Sequence, residues 1–341
     1  MRCFAHAVAL LTQNAGKQTM KAIQVQALGG PEVMQLVEIP TPTPGPGEVL
    51  VKLAAAGVNF SDIYKRSGQY ATQVPYIPGE EGSGIVAALG PNVQDVQVGD
   101  HVAFAHVSGA YAEYVVAPTP RLVPVPADLD VSLAAAVMLQ GMTAHYLTHS
   151  TYPLHAGETA LVHAAAGGVG LLLVQMAKQL GARVIATVST EEKAQMARGA
   201  GADEVILYSQ EDFVAAAKKL TAQRGVDVVY DSVGKTTFEQ SLQCLRPRGM
   251  LVIFGQSSGA VPPFDVQQLN AKGSLFLTRP TLANYIADRS ELLARANDLF
   301  TWMAHGQLKV HIGATFPLAE AVSAHQALAG RATMGKVLLL P

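Results

Sequence analysis

Cysteine is nearly absent from the 341-residue chain, with only Cys3 and Cys244 present. Two thiols exclude a disulfide scaffold and any zinc lobe built from several thiolates, and they suit a reducing, cytoplasmic setting. Charge is also scarce. Charged residues make up 15% of the chain, and 24 Lys and Arg face 26 Asp and Glu, so the net charge of -2 supplies no bulk cationic excess for a polyanion. Uncharged apolar runs fall short of the roughly 20 residues that span a bilayer. What remains is an interior-rich composition, 49% hydrophobic. A length of 341 residues then predicts two domains, at roughly 100 to 200 residues each.

Residues 1–19 stand apart, because the first acidic residue is Glu32 and Phe4 to Leu11 is a short apolar run. They read as a disordered extension, with a targeting peptide as the alternative. The fold is expected to begin at Met20. From Lys21 the chain runs in short β-like pieces, and Pro42, Pro44, Pro46, Pro118, Pro120, Pro124 and Pro126 punctuate this half. Such spacing predicts a compact β-rich domain. Helical periodicity enters at Ser132 to Leu147, where Leu133, Ala136, Val137 and Gln140 share a face.

After Thr159 buried strands alternate with amphipathic helices. The strands are expected at Ala160–His163, Arg183–Val188, Glu204–Leu207, Val226–Tyr230, Met250–Phe254 and Ser274–Thr278. Helices are expected between them at Gly170–Leu180, Glu191–Ala200, Glu211–Leu220 and Thr236–Leu245. This rhythm predicts an α/β fold with a doubly wound parallel sheet of the Rossmann type. The helices Glu291–His305 and Leu318–Ala329 follow, and the strand Lys336–Leu340 is expected to return to the first domain.

The turn Ala164-Ala165-Ala166-Gly167-Gly168-Val169-Gly170 lies between a strand and a helix. Gly167 would let backbone approach a pyrophosphate, Gly170 would let helix pack on strand, and the helix N-terminus would favour the negative charge. A tight turn alone would also use these glycines; the βαβ context selects dinucleotide binding. Nineteen residues beyond Gly170 stands Ser189, where an NAD site would carry a carboxylate, and Lys193 opens the next helix. Both features favour NADPH. The competing reading makes Lys193 an ordinary solvated residue beside Glu191 and Glu192.

The segment Asn59-Phe60-Ser61-Asp62-Ile63-Tyr64, together with Gln140-Gly141-Met142-Thr143-Ala144, His163 to Gly170, Asp231-Ser232-Val233-Gly234 and Phe254 to Gly259, resembles the zinc-independent quinone oxidoreductases. These zeta-crystallin relatives are part of the medium-chain dehydrogenase/reductase superfamily. The resemblance runs from Met20 to Pro341. It implies a β-rich, GroES-like catalytic domain at 20–139 and 279–341, and a Rossmann domain at 140–278. It also implies that Asn59, Phe60 and Tyr64 line the nicotinamide, with Asn59 and Tyr64 as the catalytic candidates. Gly167, Gly168 and Val169 would meet the pyrophosphate; Ser189, Lys193, Tyr208 and Arg331 would surround an adenosine 2′-phosphate; Tyr146, Val233 and Ser257 would border the cofactor.

Zinc-dependent members of that superfamily carry Cys where this chain has Asn59 and Gly-His-Glu where it has Gly79-Glu80-Glu81. No metal is therefore expected, and His145 and His149, at i and i+4, read as a packed or solvated pair. A quinone reduced by hydride yields a phenolate whose conjugate acid has a pKa of about 10, which needs no Lewis acid. Phe60, Tyr64, Tyr70 and Tyr76 could form a flat slot for such an acceptor. The alternatives are reduction of the C=C bond of a 2-alkenal or enone at the same site, and a non-catalytic NADPH-binding sensor or RNA-binding protein. A homodimer is expected through the apolar edge strand 274–278.

Overall fold

The computed structural model describes residues 19–341. The extension expected over 1–19 lies outside the described residues except for Thr19, which opens the strand Thr19–Val25, one residue ahead of the expected start.

Strands that are covered on both faces must be apolar throughout rather than alternating. Every residue of Thr159–His163 and of Val226–Asp231 is buried, and these two form the centre of a six-stranded sheet. Its order is Glu204–Leu207, Arg183–Val188, Thr159–His163, Val226–Asp231, Leu245–Ile253, Phe276–Thr278, and all neighbours are parallel. The chain winds one way from Thr159–His163 and the other way from Val226–Asp231. A crevice outside the carboxyl ends of the strands is the usual consequence of such a reversal.

The other half is a seven-stranded sheet in which Glu48–Val58 is flanked by Glu81–Leu89 and Lys336–Leu340 and also pairs with Tyr114–Pro118. The last strand thus returns as expected, running antiparallel to Glu48–Val58 with Val337 opposite Val58. Among the described residues, no helix is long and apolar enough to cross a membrane.

Two expectations change. The helix read as one-faced, Val131–Tyr146, is buried from Ala134 to Met138 and from Gln140 to Tyr146. It is wedged between the strands Glu48–Val58 and Glu81–Leu89 on one side and the helices Gly168–Gln179 and Arg289–Ala304 on the other, and what remains open is the face of Leu139, Gln140, Thr143 and Tyr146, which lines a cavity. The boundary proposed at 139/140 lies within this helix. Leu292, Ala296, Leu299 and Phe300 share an apolar cluster with Ala160, Val162 and Tyr230 on one side and with Ala103, Ala105, Val123 and Val125 on the other, and the chain pairs again with the seven-stranded sheet at Ile312–Pro317. The strand expected at Ser274–Thr278 is only Phe276–Thr278, because Gly273 and Ser274 take φ of 114° and 56° to turn the chain after the helix Gln267–Ala271. It does lie at the sheet edge, with Phe276 56% exposed.

Candidate active site

A cavity of about 1000 Å³ opens between the two sheets, and the carboxyl ends of the parallel strands form one wall. Its floor is the glycine turn. Ala164, not Ala165, takes the left-handed conformation there, with φ 49°. Gly167 precedes the helix Gly168–Gln179, whose first N–H groups lack helical partners and carry the positive end of the helix dipole. A Cβ on Gly170 would stand 2.4 Å from the Ala164 carbonyl oxygen, so only glycine permits this approach of helix to strand. The Gly335 N–H donates to the Ala166 carbonyl at 3.0 Å, tying the loop before the last strand to the turn.

At one end of the cavity Ser189, Lys193, Tyr208 and Arg331 come together, although Arg331 is far from the others in sequence. Thr190 caps the helix Glu191–Gly199 by accepting the Lys193 N–H, which fixes where the lysine leaves the backbone. Lys193 Nζ donates to the Arg331 carbonyl at 2.8 Å. Burial and the nearby Arg331 guanidinium lower the proton affinity of Lys193. Two cations brought to one corner of the cavity favour an anion.

At the other end the short helix Phe60–Arg66, not foreseen in the sequence, presents Phe60 and Tyr64 to the cavity from positions i and i+4. The Asn59 N–H starts the helix by donating to Asp62 Oδ2 at 2.9 Å. Asp62 also accepts the Tyr111 hydroxyl at 3.0 Å, and Tyr111 is bonded to His325, which meets Arg66. Burial, with Glu80 adding to it, pushes the Asp62 carboxyl up to about 7. The Tyr64 ring meets Tyr70 edge-on at 5.2 Å. Its hydroxyl accepts the Gln256 N–H at 3.1 Å, and burial pushes its pKa up to about 12.

Tyr146, Val233 and Ser257 also line the cavity. Tyr146 lies flat on Tyr285 at 4.2 Å. Tyr76, expected in the aromatic slot, does not line it: its backbone bridges Val25 and its ring packs against the apolar core of the seven-stranded sheet. The sequence reading gave no role to Arg279, which donates to Tyr70 Oη, Gln256 Oε1 and the Ile253 carbonyl at 3.2 to 3.3 Å. It sets a cation beside the slot.

Comparison with known proteins agrees with this geometry. Residues 45–127 match the alcohol dehydrogenase GroES-like domain and residues 168–295 match the zinc-binding dehydrogenase family. A quinone oxidoreductase from Pseudomonas aeruginosa is 48% identical over 94% of this chain and 99% of its own length. The crystal structure of Escherichia coli quinone oxidoreductase complexed with NADPH superposes with a TM-score of 0.93 at 44% identity, covering 94% of this chain and all of that one. This chain belongs to the quinone oxidoreductase family, within the medium-chain dehydrogenase/reductase superfamily. A 2-haloacrylate reductase from Burkholderia is also similar, 43% identical over 94% of this chain and 98% of its own.

The zinc in one family description does not fit the residues of this family member. Asn59 and Glu80 stand where the sequence reading placed the superfamily's ligands, and Glu80 is engaged by Lys65. Asn59 Oδ1 accepts from Lys336 Nζ at 3.1 Å, so a cation already occupies that surrounding. Among the described residues, no cluster of three or more His, Cys, Asp or Glu is arranged to hold a metal. His145 and His149 stack on each other at 4.3 Å and on Trp302, while Asp298 and Arg295 take the ring nitrogens of His145.

Lys336 was missed entirely. It pairs with Glu81, both are buried, and the same charges bond Asn59. The available signal was a lone lysine opening the otherwise apolar run Lys336-Val-Leu-Leu-Leu, since a buried cation requires a partner.

Proposed function

We propose that this family member is an oxidoreductase that binds NADPH in the cavity and reduces a quinone without a metal. The observation that carries the reading is the convergence on one cavity of a helix N-terminus, the Lys193 and Arg331 pair, and an aromatic slot at Tyr64 and Tyr70. Lys193 and Arg331, with Ser189 and Tyr208, would hold the adenosine 2′-phosphate; Gly167, Gly168 and Val169 the pyrophosphate; Phe60, Tyr64, Tyr146, Val233 and Ser257 the remainder. NADPH supplies a hydride to the acceptor when bound. The low cysteine content is the feature that supports a cytoplasmic location.

Tyr64 orients rather than protonates in this reading. A phenol at about 12 is a weak donor toward a quinol phenolate with a conjugate acid near 10. Arg279, next to Tyr70, would stabilise the phenolate electrostatically. The similarity to a 2-haloacrylate reductase favours C=C reduction as the second reading, and there the enolate is basic enough to need a donor.

Following NADPH oxidation against ortho-quinones, para-quinones and 2-alkenals tests the assignment, and quinones are expected to be the faster substrates. Preferential turnover of alkenals would replace the first reading with the second, and no turnover of either would leave a non-catalytic NADPH binder. With quinones, Tyr64→Phe should keep the rate within about threefold and Tyr64→Ala should lower it; with alkenals, Tyr64→Phe should cost roughly 10²-fold, the scale of a general acid. A 10²-fold loss of quinone turnover in Tyr64→Phe would make the hydroxyl the proton donor.

The assembly we propose is a two-fold dimer through Phe276–Thr278. This edge is apolar and exposed at Phe276 and Leu277, and an edge of that kind pairs unless covered. Sedimentation at micromolar concentration should give twice the chain mass, and charged substitution of Phe276 should yield monomer. A monomeric wild-type protein would refute the interface.

A further inference from the structure

Given the quinone-reductase reading above, we infer that Arg66, His325, Tyr111 and Asp62 are positioning residues for Tyr64: their buried hydrogen-bonded chain holds the helix Phe60–Arg66 from behind and sets where its aromatic face stands in the acceptor slot.

A helix of seven residues has too few hydrogen bonds to hold itself in place, so its position is set by what it is tied to. Phe60 and Tyr64 share one face at i and i+4, and Asp62 and Arg66 share another. Two residues correspond to roughly 200° of helical turn, which puts the second face opposite the slot. Asp62 and Arg66 are 1% and 5% exposed. Both are anchored on His325 of the helix Ala321–Ala329, Arg66 directly and Asp62 through the Tyr111 hydroxyl. Tyr64 lies in sequence between these two anchors, with its back to them.

The chain runs in one direction. Arg66 can only donate, so its Nη1, 3.2 Å away, makes His325 Nδ1 an acceptor. The ring proton is then on Nε2, which donates to Tyr111 Oη at 3.0 Å. Placing that proton on Nδ1 instead would set two N–H groups against each other at Arg66. A neutral His325 fits its surroundings, where burial and the Arg66 guanidinium lower its pKa to about 3. The Tyr111 hydroxyl is left to donate to Asp62 Oδ2, also at 3.0 Å. That oxygen takes the Asn59 N–H as well, so the chain ends on the bond that starts the helix. Tyr111 is itself fixed, since its carbonyl accepts the Ile23 N–H at 2.8 Å and its N–H donates to the Pro78 carbonyl at 3.0 Å. Asp62 Oδ1 is buried without a partner. A proton on Asp62 would therefore sit on Oδ1 and leave Oδ2 an acceptor, so the chain needs an oxygen at this place and not its charge.

Tyr111→Phe removes the middle hydroxyl and keeps the ring that stands edge-on to His325 at 5.7 Å. At saturating NADPH its kcat/KM for a para-quinone should fall about tenfold, the scale of one lost hydrogen bond, with calorimetric affinity for 2′,5′-ADP kept within about twofold. That ligand has the adenosine bisphosphate and lacks the nicotinamide half, so it reports whether the rest of the cavity is intact. Amide hydrogen exchange over residues 59–67 should quicken in the protein without NADPH. In a Tyr64→Ala background the same change should cost less than about twofold, because the residue it acts through is gone. Asp62→Leu should repeat the loss, and Asp62→Asn, which keeps an accepting oxygen, should recover most of it. Full quinone activity in Tyr111→Phe, an undiminished loss in the Tyr64→Ala background, equal weakening of 2′,5′-ADP, or an Asp62→Asn variant as poor as Asp62→Leu would each overturn the positioning role. A wild-type protein inactive with quinones, or Tyr64→Ala as fast as the wild type, would refute the slot reading itself and take this inference with it.

Discussion

Replacing Lys193 by Ala should weaken NADPH at least tenfold and leave NADH within about twofold. The ammonium is anchored on the Arg331 carbonyl, and burial together with the Arg331 guanidinium disfavours its charge when no anion is present. A phosphate dianion reverses that balance. Charge-assisted bonds contribute roughly 1.5 to 3 kcal/mol each, and tenfold in affinity is only about 1.4, so one such bond suffices. Arg331→Ala should act in the same direction. The double variant should lose less than the product of the two single effects, because both cations would bond one phosphate; the Lys193 bond to the Arg331 backbone carbonyl is itself kept in Arg331→Ala. Ser189 supplies the second half of the argument: its neutral side chain offers NADH no carboxylate for the ribose hydroxyls and spares NADPH any repulsion. Competitive titration of both cofactors against each variant decides the matter. Equal losses for NADPH and NADH would remove the 2′-phosphate from this corner of the cavity.

The parallel sheet was legible because burial on both faces leaves an uninterrupted apolar run. Arg183–Val188 and Glu204–Leu207 have the bounds expected from sequence. The helix Phe60–Arg66 was not legible, because seven residues give too few turns for periodicity and its start depends on the Asn59 to Asp62 bond. Spacing alone led from the glycine turn to Ser189 and Lys193. Tyr208, Arg331, Tyr146, Val233 and Ser257 were reached through the family resemblance, since they are brought to the cavity from separate strands and loops. Tyr76 shows the limit of reading aromatics by proximity in sequence: it is only six residues from Tyr70 yet packs on the other side of the helix, toward the seven-stranded core. The apolar face of the helix Arg289–Ala304 gives no such address either, since Leu292 and Leu299 lie in a cluster that takes residues from both sheets.

Lys336→Met should destabilise the fold by about 3 to 5 kcal/mol, far more than the loss of a surface ion pair, which is worth about 0 to 1 kcal/mol. The magnitude comes from what is left behind. Glu81 would remain buried with only the Leu139 and Asn59 N–H groups to face it, and removing one partner of a buried pair leaves the other charge uncompensated. The location adds to the effect, because the strand Lys336–Leu340 lies between Glu48–Val58 and Ile312–Pro317 and joins the end of the chain to its beginning. A neutral double variant, Glu81→Gln with Lys336→Met, should recover much of the loss, since buried pairs replaced by neutral groups of similar volume are often tolerated. Denaturant unfolding, followed at equal protein concentration for the single and double variants, separates the two effects. A cost below about 1 kcal/mol for Lys336→Met would mean that water reaches Glu81 and screens its charge.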